Sequence, residues 1–109
     1  MINVTLEQEK FMIACRTFFP KCKFSGLDGK GPNIFMNEVE YAPGKHAWAS
    51  LYLYQPGDQP GKPVWLEKPV YKLAYEIDKR SYATRENHFF TDDLDKFTKK
   101  LTELKRVDI

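Results

Sequence analysis

The chain has 109 residues, of which 42% are hydrophobic and 29% charged, a composition typical of a globular protein and not of a disordered one. Its length predicts a single domain over residues 1–109, large enough to bury a core without metals or disulfides. Seventeen Lys and Arg residues against fifteen Asp and Glu residues give a net charge of only +2, which does not imply a partner held mainly by bulk charge but leaves room for a local basic face.

The N-terminus and the cysteines set expectations about location and cofactors. The first residues carry no hydrophobic signal-peptide run, and no stretch is apolar for long enough to span a bilayer, so we expect a soluble cytoplasmic protein without a membrane partner. Free thiols are therefore expected at Cys15 and Cys22. The lysines on both sides of Cys22 favour its thiolate, but one lysine on either side does not make it a nucleophile. Neither His46 nor His88 stands at a spacing that completes a zinc site with the cysteines, so the sequence predicts no metal and no cofactor.

A helix and a glycine-rich loop are predicted at the start of the chain. Thr5 and Gln8 fit a capping box, in which each side chain satisfies a free backbone group at the start of a helix over residues 6–18. Pro20 ends this helix because proline disfavours helical geometry at the residue before it. The predicted buried stripe consists of Phe11, Ala14, Cys15 and Phe18. The loop at residues 21–33 does not fit a phosphate-binding loop, because its glycine spacing differs and a strand follows it.

Two segments, residues 33–41 and 46–55, predict an antiparallel hairpin. Pro43 and Gly44 suit the central positions of a turn formed by residues 42–45. This turn predicts a register with the pairs Tyr41 and His46, Val39 and Trp48, Phe35 and Tyr52, and Ile34 and Leu53.

The second strand of this hairpin sorts its side chains onto two faces. Alternate positions place alanines and leucines on one face and rings with polar tips on the other. The first face, which we expect to lie under the helices, holds Ala47, Ala49, Leu51 and Leu53. The predicted register adds Glu38 and Glu40 to that first face. The second face holds His46, Trp48, Ser50, Tyr52 and Tyr54.

Further strands are predicted downstream, after proline-containing turns at residues 56–63. Residues 64–66 predict a short edge strand because a proline lies on each side of them. Residues 69–79 match the periods of a strand and of a helix equally well. We favour the strand, because a turn-like segment follows and leads into a second hairpin strand at residues 81–85.

The chain ends in a predicted helix that is capped by Thr91 and has a stripe of Leu94, Phe97, Leu101 and Leu104. The fold class is therefore α+β, an antiparallel four-stranded sheet in the order α-β-β-β-β-α with the N- and C-terminal helices packed on one face. This order is similar to that of the double-stranded-RNA-binding domain. The last helix of that domain starts with lysines, whereas this one starts after Asp92 and Asp93, so the sequence assigns no family.

The aromatic residues of the hairpin predict the function. All six tyrosines and both tryptophans lie between Tyr41 and Tyr82, and these residue types dominate protein interfaces. No catalytic constellation accompanies them, because the predicted register leaves His46 without a carboxylate on its own face. We therefore expect a non-catalytic inhibitor or adaptor that docks onto a protein partner. The predicted binding residues are Phe35, Tyr41, His46, Trp48, Tyr52 and Tyr54.

Two other interpretations are open from the sequence. Cations interleaved with rings are typical of surfaces that bind single-stranded or structured nucleic acid. The residues in this pattern are Lys68, Tyr71, Lys72, Tyr75, Lys79, Arg80, Tyr82 and Arg85. Alternatively, the rings of the hairpin form a second core layer or the contact of a homodimer.

Overall fold

The computed structural model describes residues 3–27, 31–55, 64–79 and 84–106. Its elements, in chain order, are α1 (Val4–Phe18), β1 (Phe24–Ser25), β2 (Ile34–Ala42), β3 (Lys45–Gln55), β4 (Val64–Lys79), β5 (Thr84–Thr91) and α2 (Leu94–Arg106). The strands form one antiparallel sheet, in which each strand pairs with the next one along the chain. The predicted α+β class is confirmed, but the sheet has five strands instead of four. Within the described ranges, no helix is long and apolar enough to cross a membrane.

The core lies between the sheet and the two helices. Phe11 of α1 and Phe97 of α2 are completely buried, and their ring centroids lie 5.7 Å apart. Tyr71 of β4 completes this contact, with its ring centroid 6.5 Å from that of Phe11 and 5.4 Å from that of Phe97. Burial of each phenylalanine stabilises the fold by roughly 2 kcal/mol. The predicted inner face of β3 lies in the same core, with buried Ala47, Ala49, Leu51 and Leu53.

A two-residue strand, β1, lies in the segment that the sequence predicted as a loop. It pairs with the start of β2. Gly26 then turns the chain with a φ of +91°, and a Cβ atom at this position would lie 2.6 Å from the carbonyl oxygen of Asn33. Two residues show no period, so hydrophobic alternation cannot reveal such a strand. Residues 28–30 of the glycine-rich loop lie outside the described residues.

The structure corrects the predicted caps of both helices. The first helix begins at Val4, and its cap is Asn3 in place of Thr5, because Asn3 Oδ1 accepts a hydrogen bond of 3.1 Å from a first-turn N–H. The cap of α2 is Asp93, whose Oδ1 accepts a hydrogen bond of 2.8 Å from the N–H two residues later. Thr91 lies two residues before this cap, and its Oγ1 accepts a hydrogen bond of 3.1 Å from the Asp93 N–H. Both helices themselves are where their apolar stripes predicted them.

The first hairpin has the predicted turn but a different register. Ala42 pairs with Lys45, as the turn requires. Two β-bulges in β2 then shift the ladder, so all four predicted pairs beyond the turn are wrong. Ile34 pairs with Leu51 instead of Leu53, a shift of two positions that keeps both side chains in the core. The other observed partners are Ala47 for Val39 and Ser50 for Phe35, while Tyr41 falls at a bulge.

The bulges also change the side of the sheet on which three side chains lie. Glu40 pairs with His46 and shares its side, which is the side opposite the helices. Glu38 falls in the first bulge, and its carboxylate also lies near the His46 ring. Tyr41 falls in the second bulge and is buried in the core. The prediction that both glutamates lie on the aliphatic face is therefore wrong.

The fourth strand, β4, is continuous from Val64 to Lys79, so the strand interpretation of residues 69–79 is confirmed. The predicted edge strand at residues 64–66 belongs to the same element. An irregularity in the pairing of β3 with β4 accommodates Pro69, which has no N–H to donate to the ladder. The second hairpin is also confirmed, but β5 runs from Thr84 to Thr91. The predicted turns at residues 56–63, and residues 80–83, lie outside the described part of the chain.

Replacement of Gly26 by alanine should destabilise the fold far more than the same change at Gly44. Both glycines have a positive φ, +91° and +73°, but a Cβ atom at Gly44 would meet nothing within 4 Å. We expect Gly44→Ala to cost about 1 kcal/mol through backbone strain. Gly26→Ala should cost about 3 kcal/mol, because its Cβ also clashes with the Asn33 carbonyl. Urea unfolding of both variants measures the difference, and equal losses would contradict the close approach.

Candidate functional site

The side of the sheet opposite the helices, which we call the open side, carries a group of large rings. Alternation along β3 turns Trp48, Tyr52 and Tyr54 to this side, and each of them is half-buried. Phe35 of β2 and Trp65 of β4 lie beside them and are 38% and 55% exposed. We call these five residues the aromatic face. It combines apolar surface with indole N–H and phenol O–H groups, the combination that suits a surface in contact with another molecule.

The rings of the aromatic face contact one another in two pairs. Phe35 and Tyr52 meet edge to face with their centroids 6.2 Å apart, and the centroids of Tyr54 and Trp65 lie 6.0 Å apart. Each such pair contributes roughly 1 kcal/mol beyond the area that it buries, so these rings hold defined orientations. Sequence reasoning missed Trp65 because its three-residue segment showed no pattern. Its place follows from its pairing with Tyr54 in the ladder.

The side chain of Asn33 supports one end of the aromatic face. Its Oδ1 accepts hydrogen bonds from the N–H groups of Leu53 and Tyr54, at 2.7 Å and 3.2 Å. Its Nδ2 donates to the carbonyl oxygen of Tyr54 at 3.1 Å, so the side chain continues the ladder beyond the last pair of β2 and β3. Gly31 lies against the Tyr54 ring, where a Cβ atom would come within 2.9 Å of the phenol oxygen. These contacts hold Tyr54 in position.

Tyr41, one of the predicted binding residues, is not on the aromatic face. Its side chain is buried, its ring packs at 90° to that of Tyr75 with the centroids 6.2 Å apart, and its hydroxyl donates to the carbonyl oxygen of Glu76. Burial raises the pKa of the Tyr41 hydroxyl, and the neighbouring Tyr75 and Glu76 raise it further. The cause of the wrong placement is the second bulge of β2, which the turn geometry could not reveal.

His46 lies on the open side as predicted, but among carboxylates instead of rings. Its Nδ1 is 2.6 Å from Glu76 Oε1 and 3.7 Å from Glu38 Oε1, and its Nε2 is 3.8 Å from Glu40 Oε2. Glu76 Oε1 also accepts a hydrogen bond of 2.7 Å from the backbone N–H of His46. The expectation that His46 has no carboxylate on its face is therefore wrong. We call these four residues the His46 cluster.

The side chains predicted to bind nucleic acid are divided between the two sides of the sheet. Tyr71 and Tyr75 turn toward the helices, where Tyr71 is buried and Tyr75 half-buried. Lys72 lies on the open side, with its Nζ 5.4 Å from the ring centroid of Phe90. Lys68 and Arg85, which belong to the same predicted set, are exposed. The side chain of Lys79 and the residues Arg80 and Tyr82 lie outside what the structure describes.

Neither cysteine has the environment of a reactive thiolate. Partial burial is the largest influence on Cys22 and raises the pKa of its thiol, while the nearby Arg16 guanidinium lowers that pKa by less. Cys15 is completely buried, and this burial raises the pKa of its thiol strongly. Both cysteines are free. Burial therefore outweighs the neighbouring positive charge at Cys22.

Comparison with known proteins adds no relative from which a function could be transferred. No protein-family model matches the chain, and searches of curated proteins and of solved structures find no significant match. The open side of the sheet is therefore the feature from which a function must be inferred.

Cys22 should react slowly with a thiol reagent such as DTNB at neutral pH. Because a raised pKa lowers the thiolate fraction, the labelling rate should fall below that of glutathione under the same conditions. Cys15 should be labelled only after unfolding, because it is completely buried. The absorbance of the released thiolate, followed for the native protein and for Cys22→Ser, separates the two sites. Native labelling faster than that of glutathione would contradict the assignment.

Proposed function

We propose that the protein is a non-catalytic inhibitor or adaptor that docks onto a protein partner through its aromatic face. The single observation that carries this proposal is the position of the five rings, which lie together on the side of the sheet that the helices leave open. Monomeric proteins rarely expose large contiguous apolar patches without a binding function.

The composition of the aromatic face favours a protein partner. Tryptophan and tyrosine are the residue types in which interface binding energy concentrates, because they bury a large area and keep a polar group at the tip. The face holds Trp48 and Trp65 together with Tyr52 and Tyr54. Phe35 extends its apolar area at one edge through the contact with Tyr52. A partner that covers this surface gains most of its affinity from a few rings.

The rings of the aromatic face are held in place before any partner binds, which favours tight docking. Three of the rings project from β3, which pairs with a neighbouring strand on both sides and has its inner face fully buried. The ring pairs and the Asn33 hydrogen bonds further restrict Tyr52 and Tyr54. Side chains that are ordered before binding lose less conformational entropy in the complex, which strengthens the affinity.

Tyr52→Ala should weaken binding of the partner at least about tenfold, as truncation of an interface hot spot does. The partner is first captured from nuclease-treated host lysate by the immobilised protein and identified by mass spectrometry. Its affinity for the wild type and the variants is then measured by titration. Ile13→Ala is the matched control, because Ile13 is 66% exposed on α1, away from the open side. Circular dichroism and thermal unfolding must show that Tyr52→Ala is folded.

Three results would overturn the docking proposal. Equal affinities of Tyr52→Ala and Ile13→Ala would place the interface elsewhere. Capture that disappears after nuclease treatment, with tryptophan fluorescence that responds to an oligonucleotide in a salt-dependent way, would establish the nucleic-acid alternative. A dimer in light scattering that Trp48→Glu converts to a monomer would show that a second copy of the chain covers the face.

A further inference from the structure

The His46 cluster lies at the turn end of the open side, next to the aromatic face but separate from it. Three adjacent strands contribute to it: Glu38 and Glu40 come from β2, His46 from β3 and Glu76 from β4. Both nitrogens of the His46 ring face carboxylate oxygens at 4 Å or less. The Glu76 side chain, which points into the cluster, is only 9% exposed.

The bulges of β2 create this convergence. In a regular ladder, side chains at successive positions alternate between the two sides of a sheet, and one residue faces one residue. Because the pairs Met36 with Ala49 and Val39 with Ala47 flank the first bulge, two residues of β2 lie opposite Trp48. Glu38 is the second of these two, and Glu40 then pairs directly with His46. Bulges often occur where a strand redirects side chains at a functional site.

We propose that the His46 cluster binds a divalent transition-metal ion of the Zn²⁺ type. The ligands are His46 Nδ1 and one carboxylate oxygen each of Glu38 and Glu76, and these three atoms all lie within 4.8 Å of one another. One imidazole with carboxylates suits zinc and related ions, whereas Ca²⁺ and Mg²⁺ prefer oxygen ligands alone. Three protein ligands leave a fourth position of a tetrahedral zinc ion for water or a partner's side chain.

The ligand atoms reach a coordinating arrangement through small changes. Ligands at zinc distances in a tetrahedron lie about 3.3 Å apart. The Glu38 oxygen is 3.7 Å from Nδ1, and the Glu38 side chain is 61% exposed and therefore free to rotate. The Glu76 oxygen, at 2.6 Å from Nδ1, must move away as the ion enters. Zn²⁺ binds the lone pair of Nδ1, so in the complex Nδ1 carries no proton and the ring proton lies on Nε2, toward Glu40.

Glu40 is placed to give the outer support that metal-binding histidines usually have. Its Oε2 is 3.8 Å from Nε2, the ring nitrogen that does not face the other two carboxylates. This distance is longer than a hydrogen bond, and the Glu40 side chain, which is 62% exposed, is free to close it. A carboxylate on this nitrogen orients the ring and makes the opposite nitrogen a better ligand. Glu40 is thus a positioning residue, and its loss should weaken metal affinity without removing a ligand.

Titration calorimetry with ZnCl₂ tests the proposal on the full chain without an affinity tag. All variants carry Cys22→Ser, so that the partly exposed thiol cannot bind the ion. We expect one saturable Zn²⁺ site, a loss of affinity of at least about tenfold in His46→Gln and in Glu38→Gln, and about tenfold in Glu40→Gln. Glu38→Gln is the variant least able to disturb folding, because its side chain is largely exposed. MgCl₂ should give no saturable binding.

His88→Gln is the matched control for the zinc titration. His88 is also a partly exposed histidine on the open side, and its Nε2 lies 3.5 Å from Glu86 Oε2, the one carboxylate near it among the described side chains. This variant should bind Zn²⁺ like the parent protein. The absence of a saturable site, or equal affinity in the parent, His46→Gln and Glu38→Gln, would overturn the proposal. Because neither Glu38 nor His46 belongs to the aromatic face, this outcome is independent of the docking experiment.

Discussion

The burial of one side of β3 is the constraint on which the rest of the structure depends. Ala47, Ala49, Leu51 and Leu53 are almost completely inaccessible beneath the two helices. Side chains alternate strictly along a strand, so a slip of one residue would expose the leucines and place the rings in the core. The hydrophobic free energy of the core therefore also determines which side chains the protein presents on the open side. Core stability and the aromatic face have one physical origin.

The irregular positions of the neighbouring strands determine what surrounds that face. The bulges of β2 bring Glu38 and Glu40 to His46 and send Tyr41 into the core. The shift between β3 and β4 brings Trp65 beside Tyr54. In a fully regular sheet, the same residues would give a less acidic open side and a different set of contacts between the rings. The regular strand supplies the rings, and its neighbours supply the polar chemistry next to them.

Long periodic segments were predictable from the sequence. The helices α1 and α2 and the two faces of β3 follow from apolar residues that repeat over several turns or several alternate positions. The four-residue turn before β3 was also predictable, because proline followed by glycine favours it. In each case the signal is local, so neighbouring residues in the chain contain all of the information.

The remaining features depend on contacts between distant segments. The strand β1 has only two residues and is defined by its pairing with β2. A bulge is likewise defined only by the alignment of two strands. The His46 cluster could not be predicted for the same reason, since Glu76 lies 30 positions from His46 in the chain. The helix caps are a separate, local case, in which two nearby residues such as Thr91 and Asp93 have equally suitable side chains.

The neighbour-to-neighbour order of the strands has a consequence for folding kinetics. Because each strand pairs with the next one along the chain, each hairpin closes a short loop at a small cost in chain entropy. Contacts between segments that are close in sequence are associated with fast folding. The contact of Phe11 with Phe97 has a large sequence separation, because it joins the first helix to the last and all five strands lie between them in the chain. We expect the five-stranded sheet to form early. The docking of both terminal helices onto this sheet should then complete the native state. A nascent chain therefore lacks part of the cover over its leucine side until translation reaches α2.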